Sequence, residues 1–180
     1  MRSKDERVLE LFFNTPKHWH FDELVGKSGL SRDRLNYWLK KFVKQGMIKR
    51  VKQKGKMPYY TGCYEIPEFQ HKKRLFALRV LTESGLLSHL STLRGAKVAV
   101  IFGSFSKADW YDHSDIDVFI YGDDKDFDRL KYGSMLHRGI QVHTAKNKKD
   151  LKRMGRMLPY IVGGDFIKGS ITDLGVKVET

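Results

Sequence analysis

Asp115 and Asp117 are the residues whose spacing points most directly to chemistry. They open onto 118–121 (VFIY), a run whose β-branched and aromatic content reads as a buried strand. On a strand, positions i and i+2 set both carboxylates on one face, roughly 7 Å apart along the backbone. Like charges at that spacing repel and call for a cation between them. An oxygen-only site of this kind suits Mg²⁺, which uses one or two carboxylates together with substrate phosphates. Ahead of the pair, 97–102 (KVAVIF) reads as a second strand and ends in Gly103-Ser104. Gly103 lets the backbone turn sharply. Ser104 is expected to open a helix whose free N–H groups face phosphate oxygens.

Gly-Ser, ten residues, then Asp-x-Asp resembles the signature of the DNA polymerase beta-type nucleotidyltransferase superfamily, above all its minimal archaeal and bacterial members. The usual pattern there is Gly-Ser-Arg-Ala-Arg-Gly, a short linker and Ser-Asp-Ile-Asp. Gly103, Ser104, Ser114, Asp115, Ile116 and Asp117 match it at the same spacing. Lys107 stands where the second Arg is usual, Ala108 where a Gly is usual, and Phe105 replaces the first Arg. The resemblance covers the second half of the chain. It implies a Mg²⁺-dependent transfer of a nucleoside monophosphate from a nucleoside triphosphate to an acceptor. Asp115 and Asp117 would hold the metal, Gly103 and Ser104 the phosphates, and Lys107 would offset phosphate charge. Active members add a third carboxylate from the strand that follows. Here that strand reads 140–144 (IQVHT), with Gln141 or His143 at the corresponding place and no acid. Gln141 and His143 share a strand face, and the plain reading is two polar residues on a half-exposed strand. Asp109 and Asp112 in the motif loop read as solvated carboxylates, Asp126 and Asp128 as the acidic first turn of a helix.

The 180 residues suffice for one medium domain or two small ones. No apolar run approaches a membrane span and the first residues carry no signal-peptide pattern, so a cytoplasmic protein is expected. Cys63 is the only cysteine, which excludes an intrachain disulfide and a Cys-based zinc cluster. The formal net charge of +13 is uneven: residues 1–66 hold 15 Lys and Arg against 7 Asp and Glu. A basic N-terminal half points to a polyanion, most simply nucleic acid; the bland reading is a solvated Lys-rich surface.

In that half the spacing predicts short helices over 6–13, burying Val8, Leu9, Phe12 and Phe13, and over 21–27, burying Phe21, Leu24 and Val25. A third helix is expected over 31–45, capped by Ser31 and stopped by Gly46, with Leu35, Trp38, Leu39, Phe42 and Val43 as its core stripe. Two strands, 47–52 and 59–64, flank a basic hairpin tip. Three helices and a hairpin resemble a winged helix-turn-helix, which implies double-stranded DNA as partner. Helix 31–45 would then read DNA with Arg32, Arg34, Asn36, Tyr37, Lys40, Lys41 and Lys44, and Lys54 and Lys56 would contact the backbone or minor groove from the wing. A purely protein-binding winged helix is the alternative.

The expected architecture is therefore α+β: a winged helix at 1–66, a helical linker at 67–95 that Gly85 can break in two, and a mixed-sheet transferase-type domain at 96–180. The linker's broad apolar face suits packing on the second domain or a homodimer contact. Later elements are a helix over 125–136 capped by Asp123-Asp124 and burying Phe127, Leu130 and Met135, a helix over 148–162 kinked at Gly155 and Pro159, and a final extended stretch near 166–169. Two functions remain open. One is a transferase whose acceptor is nucleic-acid-linked or, as in antitoxin members of the family, a protein hydroxyl. The other is a DNA-binding regulator whose transferase-like domain binds nucleotide or dimerises without catalysis.

Overall fold

The computed structural model describes residues 4–175. The chain divides into two compact units, Met1–Lys73 and Arg74–Thr180. No helix among the described residues is long and apolar enough to cross a membrane.

The first unit runs α1 (Lys4–Asn14), α2 (Phe21–Ser28), α3 (Arg32–Lys44), β1 (Ile48–Val51) and β2 (Tyr59–Gly62). Val8, Phe12, Leu24, Leu35, Leu39 and Phe42 converge from the three helices as its buried core. Gly29, in the left-handed region at φ +64, makes the tight turn between α2 and α3. β1 and β2 pair antiparallel from Ile48↔Gly62 to Val51↔Tyr59. Trp19 joins them through a two-way backbone bridge to Tyr60, each bond 2.8 Å. Three expectations need correction. Val43 is exposed, because the stripe of α3 narrows to Leu35, Leu39 and Phe42, with Trp38 half-buried. Phe21 and Val25 are half-buried and only Leu24 of that set is fully inside. Ser31 sits at the N-cap of α3, but its side chain forms no capping bond.

α4 (Pro67–Glu83) spans the division between the units, and Gly85 at φ +79 separates it from α5 (Leu86–Thr92). The second unit continues with β3 (Ala96–Phe102), β4 (Ile116–Gly122), α6 (Arg129–Leu136), β5 (Ile140–Ala145), α7 (Lys148–Arg153), α8 (Leu158–Val162), β6 (Asp165–Lys168) and a 3-10 turn, Ile171–Leu174. The sheet order is β5-β4-β3-β6, with β4 and β5 parallel and the other pairs antiparallel. A mixed sheet with helices fits the α+β class. One sheet face carries Val98, Val100, Phe102, Phe119, Tyr121 and Ala145, and buries them against Leu151, Ile161 and Leu174. That burial fixes the alternation of β4, and so fixes which way its first residues point.

Here too the local expectations shift. Ser104 opens no helix. Residues 103–108 form consecutive turns that end at Ala108, itself in the left-handed region at φ +57. A residue there cannot continue a right-handed helix. α6 begins at Arg129, later than expected, because Asp128 caps it by accepting from the Lys131 N–H at 3.0 Å, while Asp123 caps only a local turn at Lys125. Leu130 and Met135 face solvent instead of the core, and Tyr132 goes inside, tilted against the His89 ring and parallel to Phe127. The expected helix over 148–162 is two short ones, parted by turns at 154–157.

Candidate functional site

The acidic pair lies where the apolar face of β4 gives way to polar residues. Ile116 and Val118 are fully buried on the opposite face, so Asp115 and Asp117 project together on the face that further along carries Phe119 and Tyr121. Both are half-buried. Two glycines make room for them. Gly103, at φ +72, turns directly over Asp117, and a Cβ there would collide with Asp117 Oδ2. A Cβ at Gly139 would collide with Asp115 Oδ1. Gly139 also accepts a 2.9 Å bond from the Ile116 N–H, which brings the start of β5 beside the pair.

β5 runs parallel to β4 with Gln141 in register with Asp117 and His143 with Phe119. The Gln141 amide donates to Asp115 Oδ2 at 2.6 Å, and His143 Nε2 lies 3.8 Å from Asp117 Oδ1. Burial pushes the Asp117 carboxyl above its ordinary range; His143 draws it back down, and Asp115 adds to the rise.

Arg138 and Gly139 were not legible as site residues. Arg138 Nη1 donates to the carbonyls of Tyr111, of Asp112 at 3.1 Å and of Ser114 at 3.2 Å. Its guanidinium lies 5.3 Å over Phe105 and 5.2 Å over Trp110, whose rings stack on each other. One planar cation thus ties the motif loop just before the aspartates to the aromatic pair beneath it. Phe105 forms part of that base. The available signal was Arg-Gly directly before a strand, which by itself has no chemical meaning.

Asp115 and Asp117, on one face with a glycine beside each, fit a single hard divalent cation that also takes oxygens from a bound phosphate. They do not supply a second such site. Neither Gln141, whose amide N–H is directed at Asp115, nor His143 beside Asp117 adds a carboxylate to the pair. Asp109, Asp112, Asp126 and Asp128 are exposed and lie elsewhere in the loop and at the α6 cap. Among the described residues no group of three or more His, Cys, Asp or Glu converges. Ser104 is half-buried, and its carbonyl accepts from the Asp109 N–H at 2.9 Å. Lys107 is exposed with Nζ 4.8 Å over the Tyr160 ring.

In the first unit, Tyr37, Lys40, Lys41 and Lys44 line one shallow depression on α3 together with Gln45. Tyr37 is 61% exposed, and Lys41 rests over Trp38 at 4.7 Å. Arg34 and Asn36 are exposed near the start of the helix, as are Lys54 and Lys56 in the hairpin turn. Arg32 is paired with Asp22 at 2.6 Å and lies 5.0 Å over Phe21.

No curated protein and no solved structure matches the chain. The stretch 85–156, running from the start of α5 past the end of α7 and carrying both carboxylates, matches the model of the family described as polymerase beta, nucleotidyltransferase.

Proposed function

We propose that the domain around Asp115 and Asp117 binds a nucleoside triphosphate with Mg²⁺ and transfers its nucleoside monophosphate to an acceptor, while the N-terminal unit acts as a winged helix-turn-helix that holds double-stranded DNA. The observation carrying the reading is the shared face of the two carboxylates, each beside a glycine whose missing side chain leaves it space. In the transfer, an acceptor oxygen bonds to the α-phosphorus and the bond from that phosphorus to the bridging oxygen breaks. Pyrophosphate leaves with the electron pair, and the acceptor's proton passes to solvent. Mg²⁺, when bound, supplies positive charge against the triphosphate. The chain's own residues do the positioning. Asp115 and Asp117 present the oxygens, Gln141 fixes the Asp115 carboxylate, Arg138 fixes the loop that leads into it, and Gly103 keeps backbone close to the pair. The acceptor class is a nucleic-acid-linked group or a protein hydroxyl.

Incubation with labelled ATP, GTP, CTP or UTP and Mg²⁺ tests the reading through pyrophosphate release. Release should vanish in the Asp115→Asn, Asp117→Asn double variant, along with Mg²⁺-dependent nucleotide binding. Equal nucleotide affinity in that variant and the wild type would overturn the proposal.

A second reading rests on Gln141. Its side-chain amide donates a hydrogen bond to Asp115, and neither it nor His143 brings a further acid to the pair. A DNA-binding regulator, whose transferase-like domain binds nucleotide or dimerises without turnover, accounts for that substitution. Nucleotide binding with no pyrophosphate release from any of the four triphosphates would select it.

A further inference from the structure

The segment before α2 and the hairpin border an open hollow of about 530 Å³, lined by His18, His20, Gln53, Lys56, Met57 and Tyr59. Its construction follows from the Trp19–Tyr60 bridge. Because 18–20 is extended there, Trp19 turns into the core at 3% exposure while His18 and His20 turn outward. The His18 ring stacks on Tyr59 with centroids 3.9 Å apart and planes inclined by 21°. Tyr59 is half-buried behind it, so the imidazole's outer face is the open one. His20 Nδ1 lies 3.2 Å from the Pro58 carbonyl, which holds the second ring in place. Among the described residues no carboxylate lines the hollow, Lys56 does, and Lys52 and Lys54 lie in the same loop between β1 and β2.

A backed aromatic platform, an amide that donates and accepts, and a cation without an opposing acid together match a planar base carrying a phosphate. We infer that this hollow takes a nucleotide, its base stacked on the outer face of the His18–Tyr59 pair, its edge read by Gln53 and its phosphate met by Lys56. The nucleotide is either a free mononucleotide or an unpaired residue at the end of a nucleic-acid strand. The inference shares the hairpin with the duplex-binding proposal but does not depend on it.

The experiment uses the full chain in EDTA, so that the Asp115 and Asp117 site makes no metal-dependent contribution. One arm titrates the common ribonucleoside 5′-monophosphates by calorimetry. The other compares a short blunt duplex with the same duplex bearing a single-stranded tail, by anisotropy. His18→Ala should weaken the mononucleotide or the tailed duplex about tenfold, the loss expected for one base stack. His18→Phe, which keeps a ring on Tyr59, should restore it, and the blunt duplex should respond to neither variant. Dependence in the first arm assigns a free ligand; dependence on the tail assigns a strand end. The inference is overturned if no monophosphate binds and the tail adds no affinity, or if His18→Ala weakens blunt and tailed duplexes alike. A chain that ignores blunt duplex yet binds monophosphate through His18 would sink the duplex reading and leave this one standing.

Discussion

At Asp117, burial opposes ionisation. Its carboxyl is raised from an ordinary 3.8 chiefly by desolvation, against a smaller pull from His143. A carboxyl whose folded pKa exceeds its unfolded value stabilises the fold below the unfolded pKa and loses that contribution as pH rises through the folded one. Ionised Asp117 therefore costs stability at neutral pH. Asp117→Asn, in metal-free buffer, should melt above the wild type at neutral pH, and the gap should close as pH falls through the carboxylate range. The pair to His143 is long at 3.8 Å and does not reverse this sign. A variant that melts lower at neutral pH would refute the argument. Gly139 offers a cleaner probe of Asp115 than Gly103, because Gly103 combines a collision with φ +72, at which any side chain is strained by about 1–2 kcal/mol. The nearest atoms a Gly139→Ala side chain meets are those of the Asp115 carboxylate. It should leave thermal unfolding nearly unchanged while displacing that carboxylate from Gln141, and Mg²⁺-dependent nucleotide affinity should fall in calorimetry. At Gln141, Asp would replace a donor with an acidic oxygen beside the pair. Gln141→Asp should raise pyrophosphate release if a missing second-metal ligand limits turnover. Robust wild-type release that disappears in this variant would instead show that the amide belongs to a working site.

Element by element, the legible features are those set by strong local periodicity. Strands at 97–102 and 118–121 were readable because each is β-branched, apolar and bounded by glycine. α3 was readable from Leu35, Leu39 and Phe42. Where a boundary depends on competition between caps, local reading failed. Asp123, Asp124 and Asp128 are equivalent as sequence, and packing of Tyr132 by His89 and Phe127 decided in favour of Asp128. The same holds for the Gly-Ser turn, where the left-handed Ala108 ended what a serine cap would have begun. On α3, Lys40 and Lys41 sit in one depression with Tyr37 and Lys44. Lys40→Glu with Lys41→Glu should weaken duplex binding across all sequences. It should also flatten the salt dependence by about 0.9 log unit for each phosphate no longer neutralised. An unchanged salt slope would remove this face from the interface.

Over the whole molecule, basic charge concentrates in the first unit and the acidic pair lies in the second. If each unit carries its own ligand, the two double variants should separate cleanly. Asp115→Asn, Asp117→Asn should keep duplex affinity, and the Lys40, Lys41 charge reversal should keep nucleotide binding; loss of both activities in either variant would show that the ligands are coupled. What sequence alone determined was the local grammar: the i, i+2 carboxylates, the Gly-Ser turn, the helical stripes and the uneven charge. Each is a matter of neighbours within a few residues, where alternation and helical period act directly. What only the tertiary structure decided was who meets the carboxylates. Gln141 reaches Asp115 because β5 pairs parallel to β4 in one register, and a slip of one residue would turn it to the other face. Gly139 and Arg138 matter because the chain returns, after a helix, to the loop it left more than twenty residues earlier. Contacts of that separation are set by sheet pairing and core burial, which no local pattern encodes.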